Sequence, residues 1–196
     1  MLKRKLFLLL CISLLAACGQ QELPAPFHAI DVTRPLEQAD FHLADYNGKP
    51  RSLADFRGKV VVLFFGYTHC PLACPTTLAD LAQVMRMLGK DAGRVQVLFI
   101  TVDPERDKPE LLAKFVPSFD PSFLGLSGDA QATAQAAKSF GVSYEKQSYT
   151  KGGYTFLHSD GTFLIGTKGQ PILLSRYGQQ AELLAQDIRL LLAAER

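Results

Sequence analysis

The sequence predicts one α/β domain in which a central mixed β-sheet is flanked by helices. Residues 60–65 and 95–102 are apolar runs rich in β-branched and aromatic residues, which are typical of strands buried on both faces. Between them, residues 75–89 place leucines and other apolar residues at helical spacing, which predicts an amphipathic helix. The last third of the chain alternates short apolar segments with turns that contain glycine, which predicts antiparallel strands.

The remaining predicted elements are short and are bounded by turn or capping residues. We expect Asp107 and Asp129 to cap the helices that they precede. A strand–helix–strand–helix order followed by a hairpin and a helix is that of a thioredoxin-like fold, here with an added N-terminal strand or hairpin. The elements are a strand at 41–43, a turn at 47–48, a helical turn at 52–59, a helix at 107–115, a strand at 123–126, a helix at 129–141, strands at 154–158, 162–165 and 172–177, and a closing helix at 180–194.

The first 18 residues have the organisation of an export signal. Residues 3–5 are basic, residues 6–15 are apolar, and two alanines before Cys18 supply the small side chains of a cleavage site. The apolar run is too short to span a membrane comfortably as a permanent helix. Because its end resembles the bacterial lipobox, we predict a lipoprotein signal peptide over residues 1–17 and lipidation of Cys18. An ordinary signal peptide cut nearby and an uncleaved anchor are the alternatives.

The segment after the signal predicts a tether rather than a folded element. Three prolines interrupt it and it has little hydrophobic periodicity. We therefore expect a lipid-anchored tether over residues 18–37 and the folded domain over residues 38–196. These features predict a periplasm-facing lipoprotein of the bacterial cell envelope, and they leave open whether the membrane is the inner or the outer one.

The charge of the mature part excludes one class of partner. The formal net charge of the chain is +2, and no acidic residue precedes Cys18. Removing the three positive charges of residues 3–5 leaves −1 for residues 18 to 196. A nucleic-acid-binding protein carries a basic excess on its folded part, so we expect no nucleic-acid partner.

The cysteines of the folded part form a candidate reactive or metal-binding pair. Of four cysteines, Cys11 leaves with the signal and Cys18 takes the lipid, which leaves Cys70 and Cys74. A disulfide that closes so short a loop adds little stability, which argues against a purely structural bridge. The pair precedes a predicted helix, whose N-terminus favours thiolates. Thiolates are soft ligands suited to Cu(I), and imidazole binds both Cu(I) and Cu(II).

Three stretches carry a resemblance to a known family. Residues 65–75, residues 102–107 and His158 with Ser159 occur in the order in which the Sco/SenC family has them. The resemblance implies a thioredoxin-like fold, copper bound through Cys70, Cys74 and His158, and delivery of that copper to subunit II of cytochrome c oxidase during assembly. It also implies another periplasmic copper carrier as a candidate donor.

Two positions depart from the family pattern. Family members often have an acidic residue before the histidine, whereas Leu157 precedes His158 here. Acidic residues are also common in the preceding loop, whereas residues 147–153 contain Lys151 and no carboxylate. This difference points to weaker Cu(II) binding or to a change in partner docking, with the three ligands unchanged.

Several alternatives stay open on the sequence. A thiol–disulfide oxidoreductase would use Cys70 and Cys74 as its redox pair and would not need His158. A thiol peroxidase, suggested by Thr68 before Cys70, and a copper-dependent redox sensor are further candidates, so enzymatic activity is undecided. His69 is either a rival ligand, an aid to ionisation of Cys70, or a solvated side chain. Asp103 either orients the site or caps a turn, while His28 and His42 have no predicted role.

Overall fold

The computed structural model describes residues 27–150 and 152–194, so the signal peptide, Cys18 and most of the tether lie outside the described residues. Eight of the described strands form one sheet: β1 (Ile30–Asp31), β2 (Leu43–Asp45), β3 (Pro50–Arg51), β4 (Val60–Gly66), β5 (Val95–Thr101), β6 (Leu124–Ser127), β9 (Thr162–Ile165) and β10 (Pro171–Ser175). Their spatial order is β1-β10-β9-β4-β5-β6-β2-β3, and the two strands between β6 and β9 in the chain form a separate hairpin. No helix within the described ranges is long and apolar enough to cross a membrane.

The sheet is mixed, as the sequence predicts. Strands β4, β5 and β6 are parallel to one another, whereas β9 pairs antiparallel with β4 and β10 pairs antiparallel with β9. The parallel register places Gly66 opposite Thr101, so the segments that follow β4 and β5 leave the sheet side by side. Thr162 at the start of β9 pairs with Phe64 near the same end of β4. Three chain segments therefore meet at one edge of the sheet.

In the part of the chain that the structure describes, four α-helices accompany the sheet, and their bounds refine the predictions. Asp129 caps its helix by accepting a hydrogen bond from the N–H of Ala132, so that cap is confirmed. The expected cap at Asp107 is wrong, because Lys108 is the N-cap residue and the Asp107 side chain turns into the protein. The helices are α1 (Ala73–Leu88), α2 (Pro109–Phe115), α3 (Ala130–Ser139) and α4 (Ala181–Ala193).

The core covers both faces of the central strand β4. Phe64 and Phe65 are adjacent and therefore point to opposite faces. Phe64 packs against Phe99 of β5 with ring centroids 6.1 Å apart, while Phe65 packs against Phe140 at 5.8 Å. Because β4 is buried at every position, it carries the continuous apolar run that predicts it. The prediction of a thioredoxin-like sheet flanked by helices is confirmed in outline.

The folded part begins earlier than residue 38. Ile30–Asp31 pairs antiparallel with β10, and the backbone N–H groups of His28 and Ala29 donate to the carboxylate of Asp187 on α4. Asp187 is fully buried, so this contact lies within the packed interior. The expected tether over residues 18–37 is therefore too long at its C-terminal end, since residues from His28 onward already contact the sheet and α4.

A separate two-stranded hairpin stands beside the sheet. It consists of β7 (Tyr144–Ser148) and β8 (Tyr154–His158), paired antiparallel with Tyr144 opposite His158. The prediction of β8 is confirmed, but β7 is absent from the sequence-based assignment. Its residues are mostly exposed and charged or polar, so β7 lacks the apolar alternation that identifies a half-buried strand.

Candidate metal centre

The loop between β4 and α1 carries the two cysteines. Cys70 lies in a turn in which its N–H donates to the carbonyl of Tyr67, at 3.2 Å. The helix that follows begins at Ala73, so Cys74 lies in its first turn and the Cys70 sulfur faces its N-terminus. The N–H of Cys74 donates to the Sγ atom of Cys70 at 3.4 Å. The Cys70 sulfur therefore lies where backbone N–H groups at the start of the helix favour negative charge.

The environment of Cys70 favours its thiolate. Partial burial opposes ionisation, but hydrogen bonds from the backbone N–H groups of Cys74, Leu72 and Ala73 outweigh it. The pKa of Cys70 consequently lies below that of a free cysteine. Because its side chain is also partly exposed, we expect Cys70 to be the more reactive of the two thiols.

Cys74 has the opposite character. Its side chain is 0% exposed, and burial is the main reason that its pKa is raised. The neighbouring sulfur of Cys70 raises the pKa further. Gly66 makes this burial possible, because a Cβ atom at that position would come within 2.8 Å of the Cys74 Sγ atom. Cys74 therefore lies against the bare backbone at the end of β4.

His158 reaches the same place from the end of β8. Its Nδ1 atom lies 2.8 Å from the carbonyl oxygen of Ser159, which selects the tautomer with hydrogen on Nδ1 and leaves Nε2 with a free lone pair. The Nε2 atom lies 3.7 Å from the Cys74 Sγ atom. The rings of Phe64 and Tyr67 contact the imidazole edge-to-face, with centroids 6.3 and 5.8 Å away. The imidazole is thus oriented with its acceptor nitrogen toward the cysteines.

The structure brings the three predicted ligands together. The two sulfur atoms and one imidazole nitrogen all lie within 4.8 Å of one another. Atoms at such separations can bind a common ion after small side-chain rotations. Two thiolates and one imidazole form a donor set that soft or borderline ions such as Cu(I) prefer over Mg²⁺ or Ca²⁺. The residues present therefore fit a copper ion.

The other predicted residues lie outside this cluster. His69 is half exposed, with Nδ1 3.0 Å from the Thr68 hydroxyl and 3.7 Å from Asp107, so it faces the loop rather than the two sulfurs. Asp103 is buried and binds the guanidinium of Arg106 and the hydroxyl of Tyr154. Its carbonyl also accepts from the N–H of Arg106, which agrees with the predicted turn.

Asp107 is a site-supporting residue that sequence reasoning missed. One of its carboxylate oxygens accepts hydrogen bonds from the N–H of Thr68 and the hydroxyl of Thr101, and the other accepts from the Thr68 hydroxyl. The side chain thus joins the cysteine loop to the end of β5. Its position just before a helix favoured the interpretation as a helix cap. The contact with the cysteine loop could be predicted only from the strand register, which places β4 beside β5.

The surface around the cluster is open and carries apolar side chains. Leu72, between the cysteines, is 68% exposed, and Leu157, beside His158, is 57% exposed. A recess of about 530 Å³ adjoins His158 and is bordered by Leu157 and Glu145. Cys70 and His158 are therefore partly exposed at this surface, whereas Cys74 is enclosed.

The fold and the cluster define a class of protein: a thioredoxin-like domain with a thiolate–imidazole centre at the edge of its sheet. The sequence model of the SCO1/SenC family matches residues 31–193. A mitochondrial SCO2 homolog of Homo sapiens is 42% identical over 164 residues, which cover 81% of this chain and 61% of the relative. The chain therefore belongs to the SCO1/SenC family. It spans about six tenths of the length of the mammalian SCO2 homologs that it matches.

Solved structures agree with this placement. Copper-bound ScoI of Bradyrhizobium japonicum superposes with a TM-score of 0.71 at 38% identity, covering 77% of this chain and 96% of that one. A SCO1/SenC family lipoprotein of Bacillus anthracis superposes with a TM-score of 0.66 at 26% identity, covering 78% of this chain and 93% of that one. The Sco/SenC resemblance and the thioredoxin-like fold predicted from the sequence are thereby confirmed.

Proposed function

We propose that this protein is a copper metallochaperone that binds copper through Cys70, Cys74 and His158. The observation that carries the proposal is the approach of two sulfurs and one imidazole nitrogen to within 4.8 Å of one another. The donor set suits Cu(I), which accepts low coordination by thiolates, and imidazole extends its range to Cu(II). The copper-bound relative from Bradyrhizobium japonicum supports the choice of metal.

The acceptor in this proposal is the copper centre of cytochrome c oxidase subunit II during its assembly, as the Sco/SenC resemblance implies. Cys70 is the partly exposed sulfur, so incoming acceptor thiolates replace it or His158 first. Cys74 is enclosed and remains bound until the acceptor holds the ion. Stepwise exchange of this kind never releases a free ion. A second periplasmic copper carrier would load the site by the same exchange in reverse.

The location in this proposal is the periplasmic side of a bacterial membrane, through a lipid on Cys18. The similarity to a Bacillus anthracis lipoprotein of the family supports an anchored form. The test is fractionation of cells that express the full chain or its Cys18→Ser variant. We expect the unaltered chain to lie in the membrane fraction, to be extracted only by detergent, and to carry fatty acid at Cys18, whereas the variant should carry none. An unaltered chain without fatty acid, as measured by mass spectrometry, would contradict lipidation of Cys18.

The copper proposal is tested with the full chain carrying Cys11→Ser and Cys18→Ser, so that only the two loop thiols remain. Reduced protein is titrated with Cu(I) against a chromophoric chelator. We expect one copper per chain, weaker binding in His158→Ala, and loss of binding when Cys70 and Cys74 are both changed to serine. His69→Ala is the matched control, because His69 lies outside the ligand cluster, and it should bind as the parent does. A Cu(I) affinity that is unchanged in His158→Ala would contradict the three-ligand proposal.

Delivery is tested separately, with the copper-free soluble domain of an oxidase subunit II as the acceptor. Loaded protein should transfer its ion to the reduced acceptor faster than the chelator complex does at equal free copper. If the acceptor receives copper no faster from this protein than from the chelator complex, delivery is contradicted and only copper storage remains.

The character of Cys70 favours a second candidate, a thiol–disulfide oxidoreductase. The Cys70 thiolate would attack a disulfide of the acceptor, forming a mixed disulfide and releasing one acceptor thiolate. Cys74 would then attack the Cys70 sulfur, which frees the second acceptor thiolate and leaves a Cys70–Cys74 disulfide. An exported dithiol reductant would be needed to restore the pair. Disulfide reduction that persists unchanged in His158→Ala, together with copper binding that is weak or does not depend on His158, would favour this candidate.

A further inference from the structure

The hairpin that carries His158 is attached to the rest of the domain by side chains. Within residues 27–150 and 152–194, no backbone–backbone hydrogen bond joins β7 or β8 to the eight-stranded sheet. Near its centre, the hydroxyl of Thr155 lies 2.7 Å from the hydroxyl of Tyr67, and Phe156 packs edge-to-face on Tyr67. Residues 159–161 connect His158 directly to β9, and away from that connection the placement of the hairpin depends on side-chain contacts.

Arg106, in the segment after β5, makes two of these contacts. Its Nε atom donates to the buried carboxylate of Asp103, and its Nη1 atom donates to the carbonyl of Tyr154 at 3.0 Å. The guanidinium also lies over the Tyr154 ring, 3.7 Å from its centroid. One charged group thus binds the first residue of β8 through both its backbone and its ring.

Tyr154 completes the attachment with its own hydroxyl, which donates to Asp103 at 2.9 Å. Desolvation and the adjacent carboxylate raise the pKa of Tyr154 to about 12, so the hydroxyl remains a donor at neutral pH. A second, exposed pair lies outside it, in which Lys146 of β7 contacts Glu105 at 2.7 Å. The exposed pair is weaker because solvent screens it.

The geometry connects this attachment to the metal centre. Tyr154 and His158 are the two ends of β8, a strand whose five residues extend over roughly 13 Å. Tyr67 lies between the two ends, since its ring contacts the imidazole of His158 at 5.8 Å and the guanidinium of Arg106 at 5.8 Å. A shift of Tyr154 is therefore transmitted along a short strand to the imidazole.

We propose that Arg106 and Tyr154 are positioning residues that hold His158 beside Cys74 and thereby set whether copper is retained by three ligands or by two. Neither residue contacts the ligand atoms; both act through β8. The inference rests on the proposed copper function and adds a control on release. A partner that displaces Tyr154 from Arg106 would withdraw the imidazole and leave copper on the two thiolates.

The test measures Cu(I) affinity and dissociation rate in Tyr154→Phe and Arg106→Gln, each with His158 present and with His158→Ala. Supporting side chains around metal ligands change affinity by about 10- to 100-fold, and for Arg106→Gln we expect about tenfold weaker binding. Tyr154→Phe removes one hydroxyl and should have a smaller effect in the same direction. Both effects should disappear in the His158→Ala background. Tyr149→Phe, an exposed hydroxyl in the same hairpin, is the matched control and should change nothing.

The Cu(II) form supplies a second readout. Nitrogen hyperfine coupling in electron paramagnetic resonance reports imidazole ligation, and we expect it to weaken in Arg106→Gln while the thiolate absorption persists. If Arg106→Gln fails to fold, judged by circular dichroism, Tyr154→Phe and Arg106→Lys carry the test. An equal loss of affinity with and without His158, or no loss in any variant, overturns the positioning role. Copper binding that is already indifferent to His158 in the parent would overturn the proposed function itself.

Discussion

The buried carboxylate of Asp107 accepts a 2.9 Å hydrogen bond from the backbone N–H of Thr68, two residues before the first candidate ligand. Its second oxygen accepts from the Thr68 hydroxyl at 2.5 Å. The contact crosses from the segment after β5 to the loop after β4, two segments that meet because their strands are neighbours in the sheet. Asp107 therefore fixes the start of the cysteine loop relative to the sheet.

Replacing Asp107 tests this role. Asp107→Ala leaves the N–H of Thr68 and the Thr101 hydroxyl without their buried acceptor, which costs about 1–3 kcal/mol for each such group. Asp107→Asn retains a carbonyl for these donors and turns its amide toward the Thr68 hydroxyl, so its loss should be smaller. Urea unfolding gives the free energies. Equal destabilisation by Ala and Asn would show that charge, and not hydrogen bonding, is what the site needs.

Gly66 is the second position where a small change should disturb the site. A Cβ atom there would come within 2.9 Å of the rings of Phe64 and Phe99, as well as within 2.8 Å of the Cys74 sulfur. Overpacking of this kind costs about 1–3 kcal/mol, so Gly66→Ala should lower the free energy of unfolding by that amount. It should also weaken copper binding, because Cys74 has to move.

The control for this change is Gly93→Ala, where a Cβ atom meets nothing within 4 Å. It should change the free energy of unfolding by no more than about 0.5 kcal/mol and leave copper affinity as it was. If Gly66→Ala has the stability and copper affinity of the parent protein, the side chains around the end of β4 can move to accommodate the added methyl group, which would contradict the prediction.

The two thiols should differ in reactivity in the reduced, metal-free protein. Cys70 has a lowered pKa and is partly exposed, whereas Cys74 is buried with a raised pKa, so alkylation at pH 7 should modify Cys70 first. Iodoacetamide labelling followed by fragmentation mass spectrometry assigns the modified sulfur. In guanidinium chloride the two rates should become similar. Faster labelling of Cys74 in the folded protein would be incompatible with its enclosed position.

Asp187 should hold the start of the folded domain. It accepts from the N–H groups of His28 and Ala29, so Asp187→Ala leaves two backbone donors without their acceptor. We expect a loss of about 1–3 kcal/mol in the free energy of unfolding for the buried N–H of Ala29 and a smaller loss for the partly buried N–H of His28, with faster hydrogen exchange at residues 28–31. Glu182→Ala, at an exposed position in the first turn of the same helix, is the control; it should cost no more than about 1 kcal/mol and should leave hydrogen exchange at residues 28–31 unchanged. Unchanged exchange in Asp187→Ala would show that the β1–β10 pairing is sufficient.

Local sequence pattern was enough to predict much of the fold. Strands β4 and β5 are buried at nearly every position, so their apolar runs are unambiguous, and α1 shows its buried face at helical spacing. Strand β7 was not predicted, because it pairs with β8 at a distance from the large sheet and faces solvent, so its residues show no apolar periodicity. The beginning of the domain was placed too late because two-residue β1 depends on pairing with β10, far away in the chain.

For the site, the sequence by itself determined the two cysteines, their loop and the helix that follows, since all three lie in one continuous stretch. It determined His158 only through resemblance to a family, because no local pattern connects residue 158 to residue 74. The tertiary structure decided which polar side chains support the ligands. Asp107, Arg106 and Tyr154 act across strands and segments that are distant in sequence, and contacts of that kind follow from strand register and packing rather than from neighbouring residues.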